Sequence, residues 1–296
     1  NITSQPAGAQ LFIDNQKVGA TPYTGELDFG SHTLKLVNNT KTVEEIITVT
    51  QSSKTTFSFD VSETKDFTET VANLNLEMVF VKGGTFTMGC TSEQESDCNN
   101  DEKPSHQVTI SDFYIGKYEV TQKQWREIMG DNPSYFKNCD NCPVEQVSWN
   151  DIQKFIEKLN QRTGKYFRLP TEAEWEFAAR GGRQSRGFKY AGSNNIGEVA
   201  EYDGNNNKST KPVGGRKANE LGIYDMSGNV WEWCSDWYGS YSSGSQINPQ
   251  GPSSGSSRVL RGGGWLDGAQ DCRVSYRNGG TPDSHAGYGF RLAIAP

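Results

Sequence analysis

The sequence predicts a mixed α+β domain with much irregular backbone, preceded by a small β-sandwich. Three observations carry this. Residues 1–60 contain no Trp and no Cys and are rich in Thr, Val and Ile. Three segments between residues 121 and 182 carry helical periodicity or helix caps. Residues 183–296 are rich in Gly, Asn and Ser and show no long helical pattern. A chain of 296 residues also exceeds the roughly 100–200 residues of one typical domain.

In the first unit, Ala9–Ile13 and His32–Val37 alternate in part between apolar and polar residues, and Thr42–Thr50 and Thr55–Val61 read as two further strands. Asp14-Asn15 and Phe29-Gly30-Ser31 are turn signals. Short strands at this spacing form a sandwich. Asn1 falls inside a strand-like stretch, so the sequence reads as a mature or trimmed chain. The unit is expected over residues 1–62, followed by a polar linker, 63–75, and a second domain, 76–296.

In the second domain, Met78–Val81 followed by Gly83-Gly84 and Phe86–Gly89 reads as a hairpin. Thr91–Lys103 is acidic, but it lacks the spacing of an EF-hand loop, which favours a solvated loop pinned by a disulfide. A helix over Thr121–Met129 presents Trp125, Ile128 and Met129. A second, Asp151–Arg162, sets Ile152, Phe155, Ile156 and Leu159 on one face, with Asn150 as N-cap and Gly164 beyond the end. A third begins at the capping box Thr171…Glu174 and stops at Gly181-Gly182. Arg258–Arg261 is strand-like.

The net charge is −7 and no basic cluster occurs, so nucleic acid is not an expected partner. No apolar run approaches the ~18 residues of a membrane helix. The six cysteines, Cys90, Cys98, Cys139, Cys142, Cys234 and Cys272, are disulfide candidates. The even count favours an oxidising compartment over free buried thiols. Cys139-Asp140-Asn141-Cys142 is a lone CxxC. Zinc and redox readings lack a second pair or a βαβ context, so a local disulfide is favoured. Asn38-Asn39-Thr40 and Asn207-Lys208-Ser209 match the glycosylation sequon, a common chance pattern.

Two resemblances add to this reading. Pro6-Ala7-Gly8-Ala9, Ile13-Asp14-Asn15, Gly19-Ala20-Thr21-Pro22 and Gly30-Ser31-His32 resemble a PEGA domain, an extracytoplasmic β module. Val81–Gly89, Tyr118–Thr121, Pro143–Trp149, Arg168–Glu176, Gly222–Trp233, Arg261–Trp265 and Gly289-Phe290-Arg291 resemble the formylglycine-generating enzyme, or sulfatase-modifying factor, family. That resemblance implies the family's C-type-lectin-like fold. Its enzymes oxidise a sulfatase cysteine with oxygen, using two cysteines that bind copper(I) a few residues after an Arg-Gly-Gly-Ser motif. Here Trp265–Asp271 contains no cysteine, Cys272 stands alone, and Gly264 replaces the serine. Copper(I) wants soft thiolates, so copper is not an expected cofactor and no catalytic residue is assigned. The iron-binding histidine domain of the sulfoxide synthases has no match in His32, His106 and His285. A bridge between Cys234 and Cys272 is expected because each follows a family motif.

The resemblance also implies a structural calcium ion on Asp225 and Glu232 by side chain and on Gly228 and Val230 by backbone carbonyl. Hard oxygen ligands around a Gly-containing turn suit that ion. The alternative is a buried turn whose carboxylates bond backbone N–H groups or an arginine, Arg291 or Arg261. The family's substrate groove maps to Leu266–Asp271 and Asn278–Tyr288. Its candidate ligand-binding residues are Trp265, Asp267, Gln270, Tyr276, Asn278, His285 and Tyr288, with Asp283 beside them. Mixed aromatics, amides and carboxylates suit a peptide or glycan. Part of this set reads equally as scaffold, and Arg273, Arg277 and Arg291 are expected to pair internally.

The first expected function is a non-catalytic extracytoplasmic module binding protein or glycan at the cell surface or in the periplasm. One form of it is the lectin-like variable receptor made by diversity-generating retroelements. An oxidoreductase of the formylglycine-generating type comes second. A structural part of an envelope assembly, like the related gliding-motility lipoproteins, comes third.

Overall fold

The computed structural model describes residues 1–5, 7–38, 41–50, 56–60, 67–71, 74–94 and 96–296. The chain forms two compact units, residues 1–65 and 66–296. Pro6, the sequon residues Asn39 and Thr40, the ends of the expected strand Thr55–Val61, and Glu95 of the acidic loop lie outside the described residues.

The first unit contains β1 (Ile2–Gln5), β2 (Gln10–Ile13), β3 (Gln16–Ala20), β4 (Gly30–Asn38), β5 (Lys41–Val49) and β6 (Phe57–Asp60). Antiparallel strands in the order β3-β2-β4-β5 form one sheet, and β1 pairs in parallel with β6. Asp14 and Asn15 take positive φ, 49° and 66°, and turn β2 into β3, which suits the local hydrogen bonding of Asx side chains. Leu11, Leu34 and Leu36 from one sheet and Ile2 and Phe59 from the other share a core.

The second unit opens with β7 (Phe67–Val71) and β8 (Leu74–Val81), which pair antiparallel. The stretch expected as a linker is therefore partly sheet. Phe67 supplies the reason, since its ring packs edge-on against Tyr114 at 4.8 Å. β9 (Gly84–Met88) does not pair with β8. It pairs with β10 (His106–Ile110), while β8 pairs with β11 (Phe113–Gly116). The expected hairpin is thus a crossing between two sheets. At Gly83 a Cβ would lie 2.3 Å from the Ile110 carbonyl oxygen, so only glycine permits the crossing.

α1 (Gln122–Met129) starts at the Thr121–Gln124 capping box and ends at Gly130, φ 94°. α2 (Trp149–Thr163) starts two residues earlier than expected. Ser148, not Asn150, is its N-cap, accepting from the Asp151 amide; the buried stripe and the Gly164 terminus match the sequence reading. α3 (Glu172–Ala179) has the expected capping box, and every one of its residues is buried. α4 (Ile196–Val199) is a single turn. β12 (Trp231–Trp237), β13 (Gln246–Ile247), β14 (Arg258–Arg261), β15 (Arg277–Gly280), β16 (Tyr288–Gly289) and β17 (Ala293–Ile294) complete the unit. The sheet β15-β14-β12-β16 carries the strands of most interest here. Among the described residues, no helix is long and apolar enough to cross a membrane.

Cys90–Cys98 and Cys139–Cys142 are disulfides. Such bonds persist in oxidising compartments. The expected Cys234–Cys272 bridge is not made, and both cysteines are free and buried. Cys234 packs in the cluster of Trp175, Val259 and Val274, and Cys272 in another with Tyr190 and Val199. Burial raises both thiols far above their ordinary pKa, which leaves them protonated and unreactive.

Candidate functional site

Four arginines organise the interior of the second unit. Arg273 pairs with Glu102, Arg277 with Glu172, Arg261 with Glu176 and Arg291 with Glu232, all buried. Glu102 belongs to the acidic loop expected to be solvated, yet it is fully buried and also accepts from Ser275 and the Asn99 amide. Glu93 and Asp97 of that loop pair with Arg180 and Lys189.

The turn expected to hold calcium is built on the same principle. Asp225 and Asn229 have positive φ, and a Cβ at Gly228 would meet the Glu201 carbonyl at 2.3 Å. Glu232 is held on both oxygens. Arg291 donates from Nε and Nη2 at 2.6 Å each, and the Trp175 indole donates at 2.8 Å. Arg291 is one of the two alternative partners the sequence offered. Asp225 accepts from the Gly214 amide at 2.7 Å. A carboxylate absent from the sequence reading joins them: Glu119 accepts from Asn229 Nδ2 at 2.6 Å and the Val230 amide at 3.1 Å. Burial, then neighbouring carboxylates, raises Glu119 well above the usual range, and burial pushes Asp225 up to about 6. Three carboxylates thus surround one guanidinium. This surplus of hard oxygen and negative charge is of the kind a calcium ion takes up. Among the described residues, no group of three His, Cys, Asp or Glu side chains has metal-binding geometry.

The largest feature of the expected groove is a cavity of about 560 Å³. Five of the seven candidate ligand-binding residues line it: Trp265, Asp267, Tyr276, Asn278 and Tyr288. Gln270 and His285 do not. Gln270 donates to the Asp97 carbonyl, and His285 bonds Asp151 at 2.8 Å. Asp283 instead accepts from Asn150.

The opposite wall was missed. It comes from the loop between α1 and α2 and contributes Tyr135, Phe136, Glu145 and Gln146. This loop is held from below. Gln122 donates to the Phe136 carbonyl at 2.7 Å and accepts from Asn132, while the Cys139–Cys142 disulfide closes the loop's far side. Glu145, only 1% exposed, accepts from the Phe136 amide at 2.9 Å. Phe136 meets Trp265 edge-on at 4.8 Å, and Trp231 tilts against Tyr276 at 5.9 Å. The Pro143–Trp149 motif hinted at the loop, but nothing local places it beside residue 265.

Asp267, in the stretch where the resemblance implies the enzymes' thiols, lines this cavity. Its Oδ2 accepts from the Trp231 indole at 2.7 Å. At Gly264 a Cβ would lie 3.2 Å from that oxygen and 3.3 Å from the Trp231 ring, a tight contact that a small shift of Asp267 would relieve. Burial raises Asp267 and Glu145 above the ordinary carboxylate range. No thiol lines the cavity, so its donors do not fit copper(I).

Fold and cavity together define a formylglycine-generating-enzyme-type domain whose cavity is lined by no cysteine. The model of the sulfatase-modifying factor enzyme 1-like domain matches residues 63–296, and the PEGA-domain model matches residues 1–65. The chain belongs to the sulfatase-modifying factor enzyme family and carries a PEGA domain. It is 39% identical over 263 residues to the chaperone protein LppX of Paenibacillus barcinonensis, spanning 70% of this chain and 86% of that protein. The formylglycine-generating enzyme of Thermomonospora curvata is 30% identical over 295 residues, spanning 74% of this chain and 93% of the enzyme. Treponema denticola variable protein 1 matches in structure with a TM-score of 0.72 and 31% identity, covering 79% of this chain and 100% of that one.

Proposed function

We propose that the second domain is a non-catalytic extracytoplasmic module that binds protein or glycan in the aromatic cavity beside Trp265. One observation supports this reading: a space of about 560 Å³ is lined by aromatic rings, amides and carboxylates and by no cysteine. Pockets of this size lined by rings and a few polar groups are suited to ligands. The two disulfides and the PEGA domain support a place outside the cytoplasm.

The test is a glycan and peptide binding screen with the full chain and with Trp265→Ala and Tyr288→Ala. Loss of the detected interaction in both variants supports the reading, and an interaction indifferent to both overturns it. In a second arm, the protein is incubated with copper(I), oxygen and a sulfatase-motif peptide. Formation of formylglycine would sink the non-catalytic assignment.

We also propose a structural calcium ion at the Asp225–Glu232 turn, held by Asp225 and the carbonyls of Gly228 and Val230, with Glu232 shared with Arg291. Calcium at about 100 times its Kd then raises stability by about 2.7 kcal/mol. A thermal melt unchanged by chelator removes the ion from the account.

A further inference from the structure

The cavity has a chemical bias that the binding reading leaves open. It is walled by aromatic rings and by three carboxylates, Glu145, Asp267 and Asp271, and none of its lining residues is Lys, Arg or His. No ion pair to any of the three occurs among the described residues, although the same domain pairs Glu102, Glu172, Glu176 and Glu232 with arginines. The site is also rich in acceptors. Asp267 already uses the indole N–H of Trp231, and Glu145 is 1% exposed with only backbone amide donors as partners. Three carboxylates with no cation among them favour a ligand that brings N–H donors and positive charge, although Gln146, Asn278 and the tyrosines also offer donors. A guanidinium offers five donors and no acceptor, and an ammonium offers three. A sugar hydroxyl, by contrast, brings an acceptor with every donor. Aromatic rings add attraction for a cation within about 6 Å of a ring centroid. The fold uses that contact elsewhere: the Arg258 guanidinium lies 3.5 Å from the Trp237 ring centroid and 4.0 Å from that of Trp149.

We infer that the cavity receives the cationic side chain, guanidinium or ammonium, of a basic peptide segment, held among Trp231, Trp265 and Tyr288 and against Asp267, Asp271 and Glu145. This inference rests on the binding reading above and names its ligand class. The raised pKa of Glu145 and Asp267 agrees with it, because a bound cation would supply the missing compensation.

The probes are short, capped Gly/Ser peptides that differ only in one central residue, Arg, Lys, Gln or Glu, together with glucosamine and N-acetylglucosamine oligomers. Binding to the full chain is followed by NMR on the indole N–H signals of Trp231 and Trp265. The Arg and Lys peptides are expected to bind at least about tenfold more tightly than the Gln peptide, and the Glu peptide more weakly still. Affinity should fall as salt rises past about 0.15 M. Asp267→Asn and Asp271→Asn should each cost about tenfold for the Arg peptide while leaving the protein folded. Glu145→Gln is a third variant, and the other two carry the test if it does not fold.

Equal binding of Gln and Arg peptides overturns the inference, as does binding of glucosamine oligomers without binding of the Arg peptide. If a neutral glycan or peptide then occupies the cavity and is lost in Trp265→Ala, the binding reading stands and only the charge assignment falls. If no probe in the wider screen depends on Trp265 or Tyr288, both fall.

Discussion

Glu102, Glu172, Glu176 and Glu232 each face a buried arginine, whereas Glu145, Asp267 and Asp271 line a cavity with no cationic side chain on its walls. Both groups sit in one domain, on neighbouring strands and loops. The first group spends its charge inside the molecule. Arg261, for example, also donates to the Ser275 and Tyr276 carbonyls, so one guanidinium fastens β14 to the segment before β15. The second group leaves its charge for something outside. Buried pairs are costly to break and do little for binding. Carboxylates that have neutral hydrogen-bond partners but no cation, set beside aromatic rings, can select a ligand.

The difference can be broken first at Arg273. Arg273→Ala leaves Glu102 buried without its cation, and urea unfolding should record a loss of about 3–5 kcal/mol. Asp267→Asn and Asp271→Asn should each cost no more than about 1 kcal/mol, since neither faces a buried cation and asparagine keeps an oxygen to accept from the Trp231 indole. A loss at Asp267 as large as that at Arg273 would mean that the cavity carboxylates are also structural.

Next in size is the Cys90–Cys98 disulfide, which pins the loop that delivers Glu102. It spans a separation of 8 residues, and chain entropy gives it about 2.5 kcal/mol. The double Cys→Ser variant should lose that amount in the same unfolding measurement, and should also lose protection of the Glu102 segment in hydrogen exchange.

A pH-dependent effect is expected at Asp236, whose carboxyl accepts from the backbone amide of Glu172 of the Arg277–Glu172 pair. Burial, and then the Glu172 charge, push its carboxyl up to about 7. Its folded pKa lies above its unfolded value, so the folded state binds the extra proton. The contribution is complete below about pH 4 and is lost as pH rises through about 7. Asp236→Asn should flatten stability against pH across that window. An unchanged slope would assign the pH dependence to other groups.

The last prediction concerns labelling. Cys234 and Cys272 should not react with a thiol reagent in the native protein, and both should react after unfolding without reductant. Rapid native labelling of either would show that its cluster opens.

Much of the second domain was legible because its signals are local. The capping boxes at Thr121 and Thr171, the stripe Ile152, Phe155, Ile156 and Leu159, and the glycines at 130, 164 and 181 act over one or two helical turns. The missing thiols between Gly264 and Cys272 needed no structure at all. The linker and the first hairpin were misread because an edge strand and a turn are decided by what they pack against. Phe67 finds Tyr114, and Gly83 lets the chain cross beneath Ile110.

By itself, then, the sequence determined the family, the three helices and the loss of the copper ligands. Only the tertiary structure decided which carboxylates are neutralised, that Cys234 and Cys272 lie in separate clusters, and that Tyr135, Phe136 and Glu145 line the same cavity as Asp267. The reason is range. Glu102 meets Arg273 across 171 residues and Glu119 meets Val230 across 111, and no periodicity or cap along the chain encodes such a meeting. Burial then sets its worth, by removing the water that would otherwise satisfy each charge alone.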